Sequence, residues 1–212
     1  MDDAAFDSAL IAAAFQVIAE HGWGRLSVAD AALSAGLPLA RARERFPSRA
    51  AILLRFGRLA DQAGLAETPA DGITRDKLFY LLMRRIDAVQ AHRAGVLALL
   101  HGLPAHPATA LMLALANRRS MRWMLGAAGV PTFGINGELR VKGLLAVWLW
   151  TIRTWRTDDS TDLSATMAAL DAALQRAERA AAWLGWRQAP PPESQVEGGA
   201  VTPDEPPPTV PA

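Results

Sequence analysis

An all-α protein, with a small three-helix head at its N-terminus and a larger helical body behind it, is the fold the sequence predicts. Three observations carry this reading. Apolar residues recur at three- and four-residue intervals along successive segments, and none alternates convincingly as a strand would. Residues 27–49 read as two short helices broken at Ala35-Gly36. The last long segment holds Leu163, Met167, Leu170, Leu174, Ala177, Ala181 and Leu184 in alternating steps of four and three, a heptad stripe.

The glycine turn organises the head. Ser27 can accept from the orphan amides of a helix starting at Val28, with Asp30 completing a capping-box-like start. Gly36 allows a positive φ, and Pro38 suits the first turn of the next helix, where a missing N–H costs least. This is a helix-turn-helix pattern. A helical wheel sends Leu39, Ala42 and Phe46 inward and Ala40, Arg41, Glu44 and Arg45 outward, with Arg43 at the border. Arg41 and Arg45, one turn apart, would reach guanine edges or phosphates in a major groove, with Arg43 and Arg49 nearer the backbone. From residue 22 to 58 there are seven Arg against Asp30 and Glu44, a local excess of five positive charges. The candidate DNA-contacting set is therefore Ser27, Leu39, Ala40, Arg41, Arg43, Glu44, Arg45 and Arg49, on double-stranded DNA.

Around that motif the chain divides at 66–67 and 186–187. Residues 4–20 form a core-facing helix through Phe6, Leu10, Ala13, Ala14, Val17 and Ile18, closed by His21-Gly22-Trp23-Gly24, with Trp23 covering the three-helix core. Ser48 can cap a linking helix to residue 65 with Ile52, Leu53, Phe56 and Leu59 as its stripe. Residues 1–66 are the head. Residues 67–186 are the body, opened by the turn residues Thr68-Pro69-Ala70-Asp71-Gly72. Helices are expected at 74–93, 95–100, 108–128 and 139–155, with a proline turn at 101–107 and a loop at 129–137. Residues 187–212, rich in Pro and acid, hold too few large apolar side chains to offset chain entropy and should be disordered.

The helix at 139–155 is apolar on two sides, and a second face of that kind needs a partner. Together with the heptad stripe it suggests a helix pair meeting its symmetry mate in a four-helix bundle, a homodimer through Trp150, Leu163, Met167, Leu170, Leu174, Ala177 and Ala181. Met121, Trp123, Met124, Trp148 and Ile152 offer few fixed polar groups and are the candidate lining of a pocket for an apolar small molecule.

The 212 residues carry a formal charge of +1, and 51% are hydrophobic, enough for a substantial core. Absence of cysteine excludes a disulfide framework and thiolate chemistry and fits a reducing compartment. Met1-Asp2-Asp3 is acidic where a targeting peptide would be basic, and no apolar run approaches the ~20 residues of a membrane span. The expected location is the cytoplasm. No Gly-x-Ser-x-Gly, phosphate loop or dinucleotide glycine pattern is present, and His101 and His106 lack a carboxylate at metal spacing, so neither an enzyme nor a cofactor is expected.

Ser27-Val28, Ala32, Ala35-Gly36-Leu37, Phe46, Ser48-Arg49 and Ile52-Leu53 resemble the head of the TetR family of bacterial one-component regulators. Against that pattern, Pro38 replaces the capping Ser, Ala40-Arg41 the Gly-Thr pair, and Arg43 a phosphate-contacting Tyr. The resemblance implies the TetR fold, operator DNA bound as a dimer, and a response to a small ligand. A second resemblance, over roughly 75–175, is to the ubiquinone-biosynthesis lipid-binding Coq family, which shares that fold. It lies in His21-Gly22-Trp23, in 103–107, in Ser120-Met121-Arg122-Trp123-Met124, and from Trp155 through Asp158-Asp159-Ser160-Thr161-Asp162-Leu163. It implies an isoprenoid lipid or quinone as ligand, a membrane surface as partner, and a head that has given up DNA. The excess of five charges places the regulator first.

Overall fold

The computed structural model describes residues 1–69 and 71–183. The expectations for 184–212, including Leu184 and the Pro-rich tail, lie outside the described residues. Nine α-helices and two short 3-10 turns make up the described part, which contains no strand. Helix α1 (Asp3–His21) starts where Asp2 accepts a hydrogen bond from the Ala5 amide at 2.7 Å. It buries Phe6, Leu10, Ala14, Phe15 and Ile18.

After the 3-10 turn Trp23–Arg25, Ser27 caps α2 (Val28–Ser34) by accepting from the Asp30 amide at 3.0 Å. The helix ends in a Schellman arrangement: Gly36, at φ +62°, donates to the Leu33 carbonyl and Leu37 to that of Ala32. Only a residue tolerant of the left-handed region turns the chain this sharply into α3 (Leu39–Arg45). Pro38 stands one position earlier than expected, as the residue preceding the helix. Ser48 then caps α4 (Arg49–Leu65).

The body comprises α5 (Thr74–Gln90), α6 (Arg93–Gly102), the 3-10 turn Leu103–Ala105, α7 (Pro107–Ala127), α8 (Gly134–Trp155) and α9 (Ser164–Trp183). Helix α1 packs on α2 and α6, α4 on α5 and α7, and α8 on α7 and α9. One continuous apolar core runs from Phe6 and Phe15 to Trp155 and Leu174. At Gly95 of α6 an added Cβ would stand 2.2 Å from the Phe15 carbonyl oxygen, so α1 and α6 cross with no room for a side chain.

Three helices differ in their limits from expectation. Helix α5 stops at Gln90, α6 spans Arg93–Gly102 rather than 95–100, and α8 starts at Gly134, inside the stretch expected as a loop. Gly137 there serves packing: a Cβ would lie 2.2 Å from the Thr132 carbonyl carbon, so glycine lets the first turn of α8 rest on the chain before it.

The heptad stripe of α9 is corrected. Leu163, Leu170 and Leu174 are buried within the chain, and Met167, Ala177 and Ala181 are partly buried on the same side. They face α8 and α5, whose apolar sides consume the stripe. Of the expected dimer residues only Trp150 is exposed, and Arg176 of α9 lies over its ring.

The turn between α8 and α9 is built on Asp158. This buried carboxylate accepts from the Ser160 amide and hydroxyl and from the Thr166 amide and hydroxyl, the last two at 2.7 and 2.6 Å. These bonds hold its pKa down at about 2, and Leu163 takes a left-handed φ of 54° within the same turn.

Candidate nucleic-acid interface

Helix α3 presents to solvent a face different from the one the wheel assigned. Leu39 is 46% exposed and lies outward with Pro38, Ala40, Arg43 and Glu44, whereas Ala42 and Phe46 are buried. Arg41 and Arg45, expected to reach outward, turn back onto α1. Arg41 bonds Asp3 at 2.5 Å and the Met1 carbonyl at 3.1 Å, and its guanidinium covers the Phe6 ring at 4.6 Å. Arg45 bonds Asp7 through Nε and Nη2 and reaches Asp3 at 2.6 Å. Asp7, 2% exposed, also takes Arg55 of α4 at 2.7 Å.

The electrostatics explain this geometry. A buried carboxylate without partners would be costly, and guanidiniums on two other helices satisfy Asp7. The hydrogen bond from Arg45 leads in holding the Asp7 pKa below the ordinary carboxylate value, and that from Arg41 does so for Asp3. The Arg45 pKa is correspondingly raised, with its bond to Asp7 the largest cause. The excess of five over residues 22–58 is offset by carboxylates that lie outside that range in the head. Residues 1–66 contain seven Arg and seven carboxylates, so the head is formally neutral.

The remaining candidates sit at the border. Ser27 is engaged as the cap of α2. Arg49 donates to the Trp23 and Gly24 carbonyls and stacks over Trp23, fastening α4 to the 3-10 turn. Arg43 is exposed, and its one hydrogen bond runs to the Pro47 carbonyl at 2.7 Å. Trp23 is buried as expected, and its indole donates to Thr109 of α7, joining head to body.

Asp3 and Asp7 were missed by sequence reasoning, yet a signal was present. Asp7 stands in register with Leu10 and Ala14 on the buried stripe of α1, where a carboxylate persists only if cations meet it. Asp61 and Arg85 were missed likewise. Arg85, buried on α5, bonds Asp61 of α4 at 2.8 Å and Asn117 of α7 at 3.0 Å, and its guanidinium covers the Trp148 ring at 4.2 Å. Ser120 donates to the other Asp61 oxygen at 2.6 Å. Burial pushes the Arg85 pKa down, and Asp61 opposes the shift.

The expected pocket is not where Met121, Trp123, Met124, Trp148 and Ile152 were placed. Met121, Met124 and Trp148 are buried members of the core, and Ile152 packs against it. Trp123 points the other way and is 63% exposed. One side of α7 holds Met121 and Met124 inside while the other lines a cleft of about 590 Å³ against Leu65 and Thr132. Among the described residues no helix is long and apolar enough to cross a membrane.

No family model and no curated protein matches the chain. Solved structures do. A TetR transcriptional regulator from Nitrosomonas europaea is 19% identical, with a TM-score of 0.68 over 82% of this chain and 99% of that one. A TetR-family regulator from Streptomyces coelicolor is 20% identical, with a TM-score of 0.59 over 86% and 85%. A third, from Rhodococcus sp. RHA1, is 17% identical at 0.54 over 83% and 97%. These likenesses establish the fold as that of the TetR regulators. The described residues thus have the all-helical, TetR-like fold expected from the sequence, while the Coq resemblance gains no support from these structures.

Proposed function

We propose that the chain is a DNA-binding transcriptional regulator that acts as a homodimer and responds to a small ligand. The observation that supports this best is the α2–α3 unit, a short helix-turn-helix whose outer face at Leu39, Ala40, Arg43 and Glu44 is left uncovered while Asp3 and Asp7 fix α3 from behind. The solved structures that share the fold are described as transcriptional regulators. In this reading Arg41 and Arg45 position α3. Arg43 is the side chain that reaches DNA, while Arg49 holds α4 to the 3-10 turn.

Selection from a random duplex library at moderate salt should enrich a motif. Arg43→Ala should reduce the log–log salt dependence of binding by about 0.9 if it neutralises one phosphate. Arg41→Ala should weaken binding without altering the preferred sequence. A library that enriches nothing would overturn the reading.

One observation favours a second reading, a lipid- or quinone-binding accessory protein. The head is neutral, and the two arginines best placed by spacing are spent on α1. Lipid recovered with the purified protein, together with no enriched DNA motif, would put that reading first.

The dimer surface we propose is the outer side of α8 and α9. Leu139, Ala146, Leu149 and Trp150 are exposed along α8, with Ala165 and Ala168 exposed on α9, and Arg176 lies 5.5 Å over the Trp150 ring. Small residues let a second helix pair approach closely, and the large ones supply area. Leu149→Glu with Trp150→Glu should yield monomers by light scattering with unchanged helicity. A wild-type chain already monomeric at micromolar concentration would end the proposal.

A further inference from the structure

We infer that the cleft between α4 and α7 is a binding site for a single-chain amphiphile with an anionic headgroup. Its volume, about 590 Å³, is within the range of small-molecule sites, roughly 300–1,000 Å³. Leu65 at the end of α4 and Trp123 on α7 give it apolar walls, and Gly126 and Thr132 line it further. Trp123 is one of the largest apolar side chains on the surface, and it shares the cleft with Arg119 and Arg122.

The charge specifies the headgroup. Arg119 and Arg122 line the cleft, and Arg118 lies on the same stretch of α7. Arg118 and Arg122 both bond the single carboxylate of Glu138, whose pKa is lowered chiefly by the bond from Arg118. Arg119 has no hydrogen-bond or ion-pair partner among the described residues and is exposed. Arg118 and Arg122 thus share one carboxylate, and Arg119 beside them on α7 has none. An aliphatic chain against Leu65 and Trp123, with a carboxylate at Arg119 and Arg122, satisfies both the apolar and the cationic parts of the surface. A neutral apolar molecule would leave the cationic part unused, and a small inorganic anion would leave the apolar part unused.

The site differs from the pocket expected from sequence, sharing only Trp123 with it. It gives the ligand response of the proposed regulator a chemistry, and it rests on that reading only for what binding does to the head. The test is therefore made without DNA, so that failure of the cleft and failure of the head are separate results.

The full chain is titrated calorimetrically with dodecanoate below its micelle concentration, with dodecanol as the uncharged comparison. Dodecanoate should bind saturably, one per chain, and dodecanol about tenfold more weakly or worse. Arg119→Glu should weaken dodecanoate by about tenfold or more through charge reversal at the headgroup. Gly126→Leu fills the cleft from its wall. A Cβ there meets nothing within 4 Å and leucine favours a helix over glycine, so this variant keeps its fold and its melting temperature while losing dodecanoate. Three results would overturn the inference: no saturable binding by the wild type, binding by both variants equal to the wild type, or binding only to phosphatidylglycerol vesicles and not to soluble dodecanoate.

Discussion

Replacing Gly95 by alanine should cost about 3 kcal/mol or more of folding stability, a large effect for the addition of one methyl group. The new Cβ would lie 2.2 Å from the Phe15 carbonyl oxygen and 2.9 Å from its carbonyl carbon, both backbone atoms that no rotamer change can move aside. Relief requires α1 and α6 to separate, which exposes the core around Phe15. Gly57→Ala is the control. It is also helical, nothing lies within 4 Å of its added Cβ, and it should stabilise by up to ~1 kcal/mol. Urea denaturation of the two variants measures the difference from the shift in midpoint at constant slope. Equal midpoints would mean that the helices do not cross this closely.

Asp158→Asn is the second large expected effect, and it depends on pH. The folded pKa of about 2 lies below the ordinary 3.8, so Asp158 contributes stability above pH 4 that is lost as pH falls through 2. The shift corresponds to about 2 kcal/mol at neutral pH. The wild type should therefore exceed the variant by that amount near pH 7, and the gap should narrow between pH 4 and 2. Asp3, Asp7 and Glu138, whose pKa values are also lowered, titrate in both proteins and cancel from the difference. A gap that stays constant across this range would show that Asp158 titrates normally. Asp158→Ala should cost more at neutral pH, about 3 kcal/mol, because the Thr166 amide and hydroxyl then lose their only acceptor in this buried turn.

The elements of this fold were legible because their signals are local. Ser27, Gly36 and Ser48 cap or end helices through contacts within five residues, and the structure places all three as the sequence implies. The outward face of α3 was not legible in the same way. A wheel sorts residues by hydropathy and assumes that arginine faces water, but Arg41 and Arg45 face carboxylates 38 residues away on α1. The α9 stripe failed for a related reason. Heptad spacing specifies that a helix has a partner, and α8 and α5 of the same chain supply it as well as a second copy would. The cleft depends on Leu65 reaching α7 from a distant part of the chain, which no spacing rule encodes.

The Asp61–Arg85–Ser120 cluster makes α4 a lever with unequal arms. At 1.5 Å per residue, Asp61 lies about 6 Å from Leu65 on one side and about 18 Å from Arg49 on the other. Were α4 to tilt as a rigid rod about that pinned carboxylate, a sideways push on Leu65 would arrive at Arg49 about threefold larger by that ratio. Arg49 and Arg55 grip the head through Trp23 and Asp7, so the long arm ends on the parts that hold α3. The opposing restraint is the α1–α6 crossing at Gly95, where α1 has no slack against the body. A tilt of α4 would thus have to be taken up inside the head, between α4 and a fixed α1.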